Sequence, residues 1–189
     1  MTRTAFPLST IALFVAAITL PVRLDASGAP TLAGDSEQHA SHAGSTSSTL
    51  VERVREATAA FRDRIPAEYQ QFLGCVSGPE EGAMGVHFVN FNLVDLDPEA
   101  TRPEALIYEF KNGQARLVGV EFIVPADAWD ASHTDPRVPP ELEGQVFHFT
   151  ESPNRFRLPA FYELHVWAWR DNANGTFADW NPGVSCDGQ

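Results

Sequence analysis

FYELHVWAW, residues 161–169, decides how this chain folds. At the two-residue period of a β-strand, Phe161, Glu163, His165, Trp167 and Trp169 fall on one face, and Tyr162, Leu164, Val166 and Ala168 on the other. The second face is apolar apart from a phenol, and the sequence does not say which of the two faces is buried. The first sets a carboxyl group and an imidazole among three large aromatic rings. Burial in such surroundings shifts proton affinities and is costly unless the polar groups are paired, protonated or bound to a cation. The stretch therefore predicts a strand with chemistry on one side.

Upstream, Val86–Phe91, Ala105–Phe110, Arg116–Val124 and Gln145–Thr150 are also short, rich in β-branched and aromatic residues, and separated by Pro, Gly, Asn and Asp. Asn112-Gly113 and Asn174-Gly175 are hairpin signals, and the second predicts that Phe177–Trp180 returns along the main strand. Asp127–Glu143, which holds His133, reads as an exposed loop. Before the strands comes a helical pattern. Thr49 and Glu52 have capping-box spacing, and Leu50, Val54, Ala57, Phe61 and Ile65 form one apolar stripe that ends at Pro66. A second short helix is expected over 67–73, closed by Gly74. The predicted fold class is α+β: two N-terminal helices packed on an antiparallel β-sheet, open or barrel-like, in a single domain spanning 49–189.

Register decides which polar residues can meet. A two-residue Asn112-Gly113 loop sets Glu109 opposite Arg116, a surface ion pair of little energetic weight, and Glu104 opposite Glu121, where two carboxyl groups need a proton, an arginine or a metal between them. A three-residue loop with a bulge shifts the pairing by one and moves Glu109 to the face of Glu121. Either way, an inward-facing set remains: His87, Glu121 and His165 as metal ligands, with Glu104, Glu163 and Asn90 nearby and Trp167 and Trp169 as walls. Two imidazoles and a carboxylate suit a divalent transition metal such as zinc, copper or iron. The alternative is a set of buried polar residues satisfied by mutual hydrogen bonds. Trp129 and Trp180, with Phe91, Phe161 and Phe177, are further candidates for the wall of an apolar pocket, or for plain core. Asp95, Asp97 and Glu99 resemble the start of a calcium loop. Ala100 stands where glycine is needed and Leu106 where the bidentate glutamate should be, so a solvated turn is expected.

The N-terminus reads as a secretory signal peptide over residues 1–28. Arg3 precedes the apolar run Ile11–Leu20, which is too short to span a bilayer, and Ala26 and Gly28 suit cleavage after Gly28. Residues 29–48 are mostly Gly, Ser, Thr and Ala and read as a flexible linker, in which His39 and His42 are solvated. Export to the periplasm or beyond makes a disulfide between Cys75 and Cys186, the two cysteines of the chain, the natural expectation; two lone thiols without CxxC spacing are a weak zinc signal. Loss of Arg3, Arg23 and Asp25 with the signal changes the formal charge from −12 to −13, which argues against nucleic acid and anionic lipid as partners. No membrane span is expected in the mature protein.

GPEEGAMGVHFVN (78–90), PEALIYE (103–109), LVGVEF (117–122), FYELHVWAW (161–169) and NGTFADWNPGVSC (174–186) resemble a group of small exported bacterial proteins. The resemblance implies a bacterial secreted domain and carries no reaction, cofactor or residue role with it. The sequence reading is thus an exported domain that binds a metal ion or small ligand on the inner face of its sheet. One alternative is metal-assisted hydrolysis or oxidation at the same place, with Glu163 or Glu104 as base. Another is an interaction module that offers its aromatic face to a protein.

Overall fold

Antiparallel pairing organises the chain, seen here in a computed structural model that describes residues 49–78, 80–135 and 138–189. The expected signal peptide (1–28) and linker (29–48), with His39 and His42, lie outside the described residues. Residues 49–58 are helical (α1) and run into a 3-10 turn, Ala59–Phe61. The strands are β1 (Gln70–Gly78), β2 (Gly82–Val89), β3 (Ala105–Lys111), β4 (Gln114–Pro125), β5 (Glu141–Leu142), β6 (Gln145–Val146), β7 (His148–Thr150) and β8 (Phe161–Val166), with a short helix α2 (Ala126–Ser132) after β4. Six of them form one curled sheet in the order β1-β2-β3-β4-β8-β7, while β5 and β6 pair separately. Among the described residues no helix is long and apolar enough to cross a membrane.

One side of the sheet, the side of Leu164 and Val166, is the core packed against the helix. Leu106 and Tyr108 of β3, Val120 and Phe122 of β4, and Leu164 and Val166 of β8 are buried together with Leu50 and Val54 of α1. Each such aliphatic or aromatic side chain contributes about 1.5–3 kcal/mol by leaving water. The helix stops short of Pro66 because the core holds the turn after it. The Tyr108 hydroxyl donates to the carbonyls of Phe61 and Arg64 at 2.8 and 2.9 Å, and the Leu117 amide donates to Arg62 O at 2.8 Å.

The second N-terminal helix does not form. From Gln70 the chain is strand β1, which pairs Gln70, Gln71 and Phe72 with Val89, Phe88 and His87. Helix propensities differ by tenths of a kcal/mol per residue, whereas this pairing satisfies backbone groups of β2 that would otherwise form an open edge. Tyr69 fixes the entry to β1 through a hydrogen bond from its hydroxyl to Pro103 O (2.8 Å). Three further expectations change. Ala126–Ser132 is helical where a loop was expected, with Asp127 in its first turn. The stretch 145–150 is split at the buried Phe147 into β6 and β7. Residues 177–180 do not return as a strand: the Trp167 amide donates to Thr176 O, and Asn181 bridges instead to Ala83 of β2.

The Asn112-Gly113 loop is the two-residue turn, with φ of 52° and 74°, and it pairs Lys111 with Gln114 and Glu109 with Arg116. These last two do not form an ion pair. Glu109 Oε2 takes Arg170 Nη2 at 2.6 Å, and Arg116 reaches Asp63. Between Tyr108 and Ile107 the register slips by one, because Tyr108 faces Leu117 while Ile107 faces Gly119. Val118 is the extra residue. Ala105, not Glu104, therefore lies opposite Glu121.

Gly119 is required at this bulge. A Cβ there would stand 2.9 Å from Val166 O and 3.3 Å from the Trp167 ring. Gly119→Ala is expected to cost about 1–3 kcal/mol in urea unfolding, because β8 must move away from β4. An unchanged midpoint would show that the close approach is not needed.

Candidate metal centre

The side of the sheet opposite α1 carries His87 on β2, Glu121 on β4 and His165 on β8. Glu121 is the direct cross-strand partner of His165, and both face the side on which Ala105 sits. His87 is paired with Ile107, one strand further away. It reaches the other two across β3 because the sheet curls. One ligand atom from each of the three residues lies within 4.8 Å of the others. His87 Nε2 is 3.4 Å from His165 Nε2 and 3.3 Å from Glu121 Oε2, and the two imidazoles meet edge to face.

The surroundings favour an ion. His165 is fully buried and Glu121 nearly so. Burial, aided by the neighbouring His165, lowers the pKa of His87 to about 3, although a hydrogen bond to the Gly85 backbone works the other way. His87 Nε2 is the nitrogen directed at the cluster, and in the neutral imidazole with its proton on Nδ1 it offers a lone pair to a Lewis acid. Burial also raises Glu121 well above the usual carboxylate range, with Glu163 beside it adding to the effect. The cost of this burial is not offset within the described residues: His165 Nδ1 and Glu163 Oε2 are buried without a hydrogen-bond partner there. His165 Nδ1 faces Asp179 Oδ1 at 3.6 Å and Glu163 Oε2 at 3.9 Å, beyond hydrogen-bonding range but suited to carboxylates that orient a metal-bound imidazole.

Of the residues expected around the three ligands, Glu163 and Trp167 are present. Glu163 Oε1 accepts from the Thr150 hydroxyl, and Trp167 stacks on His165 at 19° while its indole N–H donates to Ala178 O. Three others lie apart. Glu104 is buried but accepts from the Ile123 amide at 3.1 Å, and Asn90 Oδ1 accepts from the Asn92 amide at 3.2 Å. Trp169 points to the helical side, where its N–H donates to the Thr58 hydroxyl and the Arg62 guanidinium lies 4.7 Å over the ring. Its placement follows from β8 ending at Val166, after which strand alternation no longer applies. Trp129 stacks on His133 beside α2, and Trp180 lies under Arg155. Asp95 and Asp97 form the expected turn, with the Asp97 amide donating to Asp95 Oδ1.

Asp179 escaped the sequence reading, and His148, which from sequence alone could face either way, joins it. Asp179 sits between the buried His165 and the exposed His148, whose Nδ1 is 2.9 Å from Asp179 Oδ1. Burial opposes ionisation of Asp179, but the neighbouring imidazoles of His165 and His148 outweigh it and hold its pKa below the ordinary value. The available signal was the alternation of His148 with Phe147 and Phe149, which put His148 on the Glu163 side of the sheet only once its register with β8 was known.

Glu104 supplies a separate pH test. Burial pushes its pKa up to about 8, against the hydrogen bonds from its own backbone and from Ile123. The unfolded chain ionises it near 4.5, so between that pH and about 8 the unfolded state holds fewer protons and stability falls as pH rises. Glu104→Gln keeps an acceptor for Ile123 and is expected to flatten this decline, by no more than about 1.4 kcal/mol per pH unit. Urea titrations at pH 5, 6.5 and 8 measure it, and parallel profiles for both proteins would contradict the assignment.

Compared with known protein families, curated proteins and solved structures, the chain finds no match.

Proposed function

We propose that the protein is an exported metal-binding domain in which His87 Nε2, His165 Nε2 and Glu121 Oε2 hold one divalent transition ion. One observation carries the reading. Ligand atoms at bond lengths of about 2.0–2.1 Å around a tetrahedral ion lie about 3.3–3.5 Å from one another. The separations of 3.4 and 3.3 Å at His87 have this value, and the third edge, between His165 and Glu121, is bounded only to within 4.8 Å and closes as the ion binds. A direct hydrogen bond between a neutral imidazole and a carboxyl group would be closer, at about 2.7–3.0 Å. Three protein ligands leave a tetrahedral ion one open position, the pattern of a site that acts on something and not of a purely structural one. The Cys75–Cys186 bond, with Cα atoms 5.5 Å apart, agrees with an oxidising compartment.

When bound, the ion supplies Lewis acidity at a buried position. His165 is held by its stack on Trp167 and faces Asp179 and Glu163 through its second nitrogen. Glu163, with one oxygen on Thr150 and one without a donor among the described residues, is the better placed of the two carboxyl groups considered as a base, since Glu104 is committed to Ile123. Elemental analysis of the full chain after dialysis against zinc is expected to give one equivalent, and Glu121→Gln a loss of at least tenfold in affinity. Equal metal content in the two proteins would remove the proposal.

A further inference from the structure

Beside the three ligands is a cavity of about 40 Å³, room for one or two water-sized groups, into which His87, Glu121 and Glu163 face. It is not closed off. Phe72, Val89, Ile123, Leu158 and Phe161 form part of its wall and also line a neighbouring groove of about 180 Å³, completed by Phe91, Val94, Pro125, Pro159 and Ala160. A dry apolar space of about 150 Å³ is enough to take up benzene. The groove is thus sized for one ring or a short chain, open to solvent at the Phe91 rim and continuing inward to the metal centre. Phe91, at its rim, is 56% exposed and meets Phe72 edge-on at 5.9 Å. A phenyl ring held this far out of the core is surface that an apolar occupant would cover.

We infer that the occupant is a small apolar molecule, ring-sized or short-chained, carrying a single hydroxyl group that enters the cavity and takes the open position on the ion. The inference rests on the metal reading above and adds the ligand class. The head group follows from the donors and acceptors present. Glu163 Oε2 is a buried acceptor with no donor among the described residues. A hydroxyl oxygen can bind the cation while its proton goes to that acceptor. A carboxylate head would instead bring a third acidic group beside Glu121 and Glu163. An ammonium head has no lone pair for the metal. Sugars and peptides would bury hydroxyls and amides against walls with nothing to pair them, at about 1–3 kcal/mol each.

The test uses the full chain loaded with zinc, its zinc content measured in each sample, and titration with benzyl alcohol, toluene and benzoate followed by NMR. Benzyl alcohol is expected to bind at least tenfold more tightly than toluene or benzoate, and to lose that advantage when zinc is removed with a chelator. Phe91→Asp, a change at an exposed rim position that leaves the fold and the metal ligands intact, is expected to weaken benzyl alcohol at least tenfold with zinc content unchanged. Benzyl alcohol binding no better than toluene, or equally to Phe91→Asp, with zinc in place overturns the ligand class and leaves the metal site standing. Absence of zinc from the unaltered chain overturns both.

Discussion

The His165→Ala protein is expected to show no thermal stabilisation by zinc, whereas the unaltered chain gains about 2.7 kcal/mol at free metal one hundredfold above its dissociation constant. For a folded part of about 140 residues, each kcal/mol raises Tm by about 4 °C, so the expected shift is about 10 °C, reversed by a chelator. The size of the effect follows from where His165 sits. It is fully buried, contributes one of two imidazoles, and is the residue through which Glu163, Asp179 and Trp167 act on the site. Replacing it leaves Glu121 and His87 with too few ligands to hold a dehydrated cation. The comparison is of the metal-induced shift and not of Tm itself, because removing a buried ring also opens a cavity and lowers the metal-free value. A shift of similar size in both proteins would place the ion elsewhere.

Reduction of the Cys75–Cys186 bond has the second large effect. The bridge spans 111 residues, and closing a loop of about that length in the unfolded chain is worth about 4.7 kcal/mol on chain-entropy grounds. Total stabilities are about 5–15 kcal/mol, so this is between a third and nearly all of the whole. The bridge also decides what the C-terminal segment does. Residues 171–189 contain no named strand and attach through scattered contacts, among them the Asn181–Ala83 bridge, Trp167 to Thr176 O and Ala178 O, Ser185 N to Glu109 and the Gly183 carbonyl to Arg170. Asp179 lies in that segment. The doubly substituted protein, Cys75→Ala with Cys186→Ala, is expected to unfold about 2 M earlier in urea at an m-value of about 2 kcal/mol/M. Its zinc affinity should also fall, because Asp179 is no longer held against His165. An unchanged midpoint would mean that the denatured chain does not feel the cross-link.

Residues 161–166 show why part of the architecture could be read from sequence. The two-residue period was enough to separate Leu164 and Val166 from Glu163 and His165, but not to say which face packs on the helix, because both faces of β8 are buried. The meeting of His87, Glu121 and His165 was legible as a set of residue types, but not as a geometry. It depends on the curl of the sheet, which is a tertiary fact. The bulge at Val118 moved Glu104 out of register with Glu121, and no local pattern announces a bulge of this kind. The helix expected over 67–73 failed for a related reason: a short mixed segment takes the structure its neighbour needs, and β2 needed a partner strand. Asp179 was missed because it acts from a segment without periodicity, positioned by Asn181 and by the bond at Cys186.

The most direct test of the central claim is X-ray absorption at the metal edge of the full chain loaded with one equivalent of zinc. The geometry at His87, Glu121 and His165 predicts two imidazole nitrogens at about 2.0–2.1 Å and one or two oxygens at about 2.0–2.2 Å, with one imidazole lost in His165→Ala. An all-oxygen shell, or the same two-imidazole spectrum in His165→Ala, would contradict it.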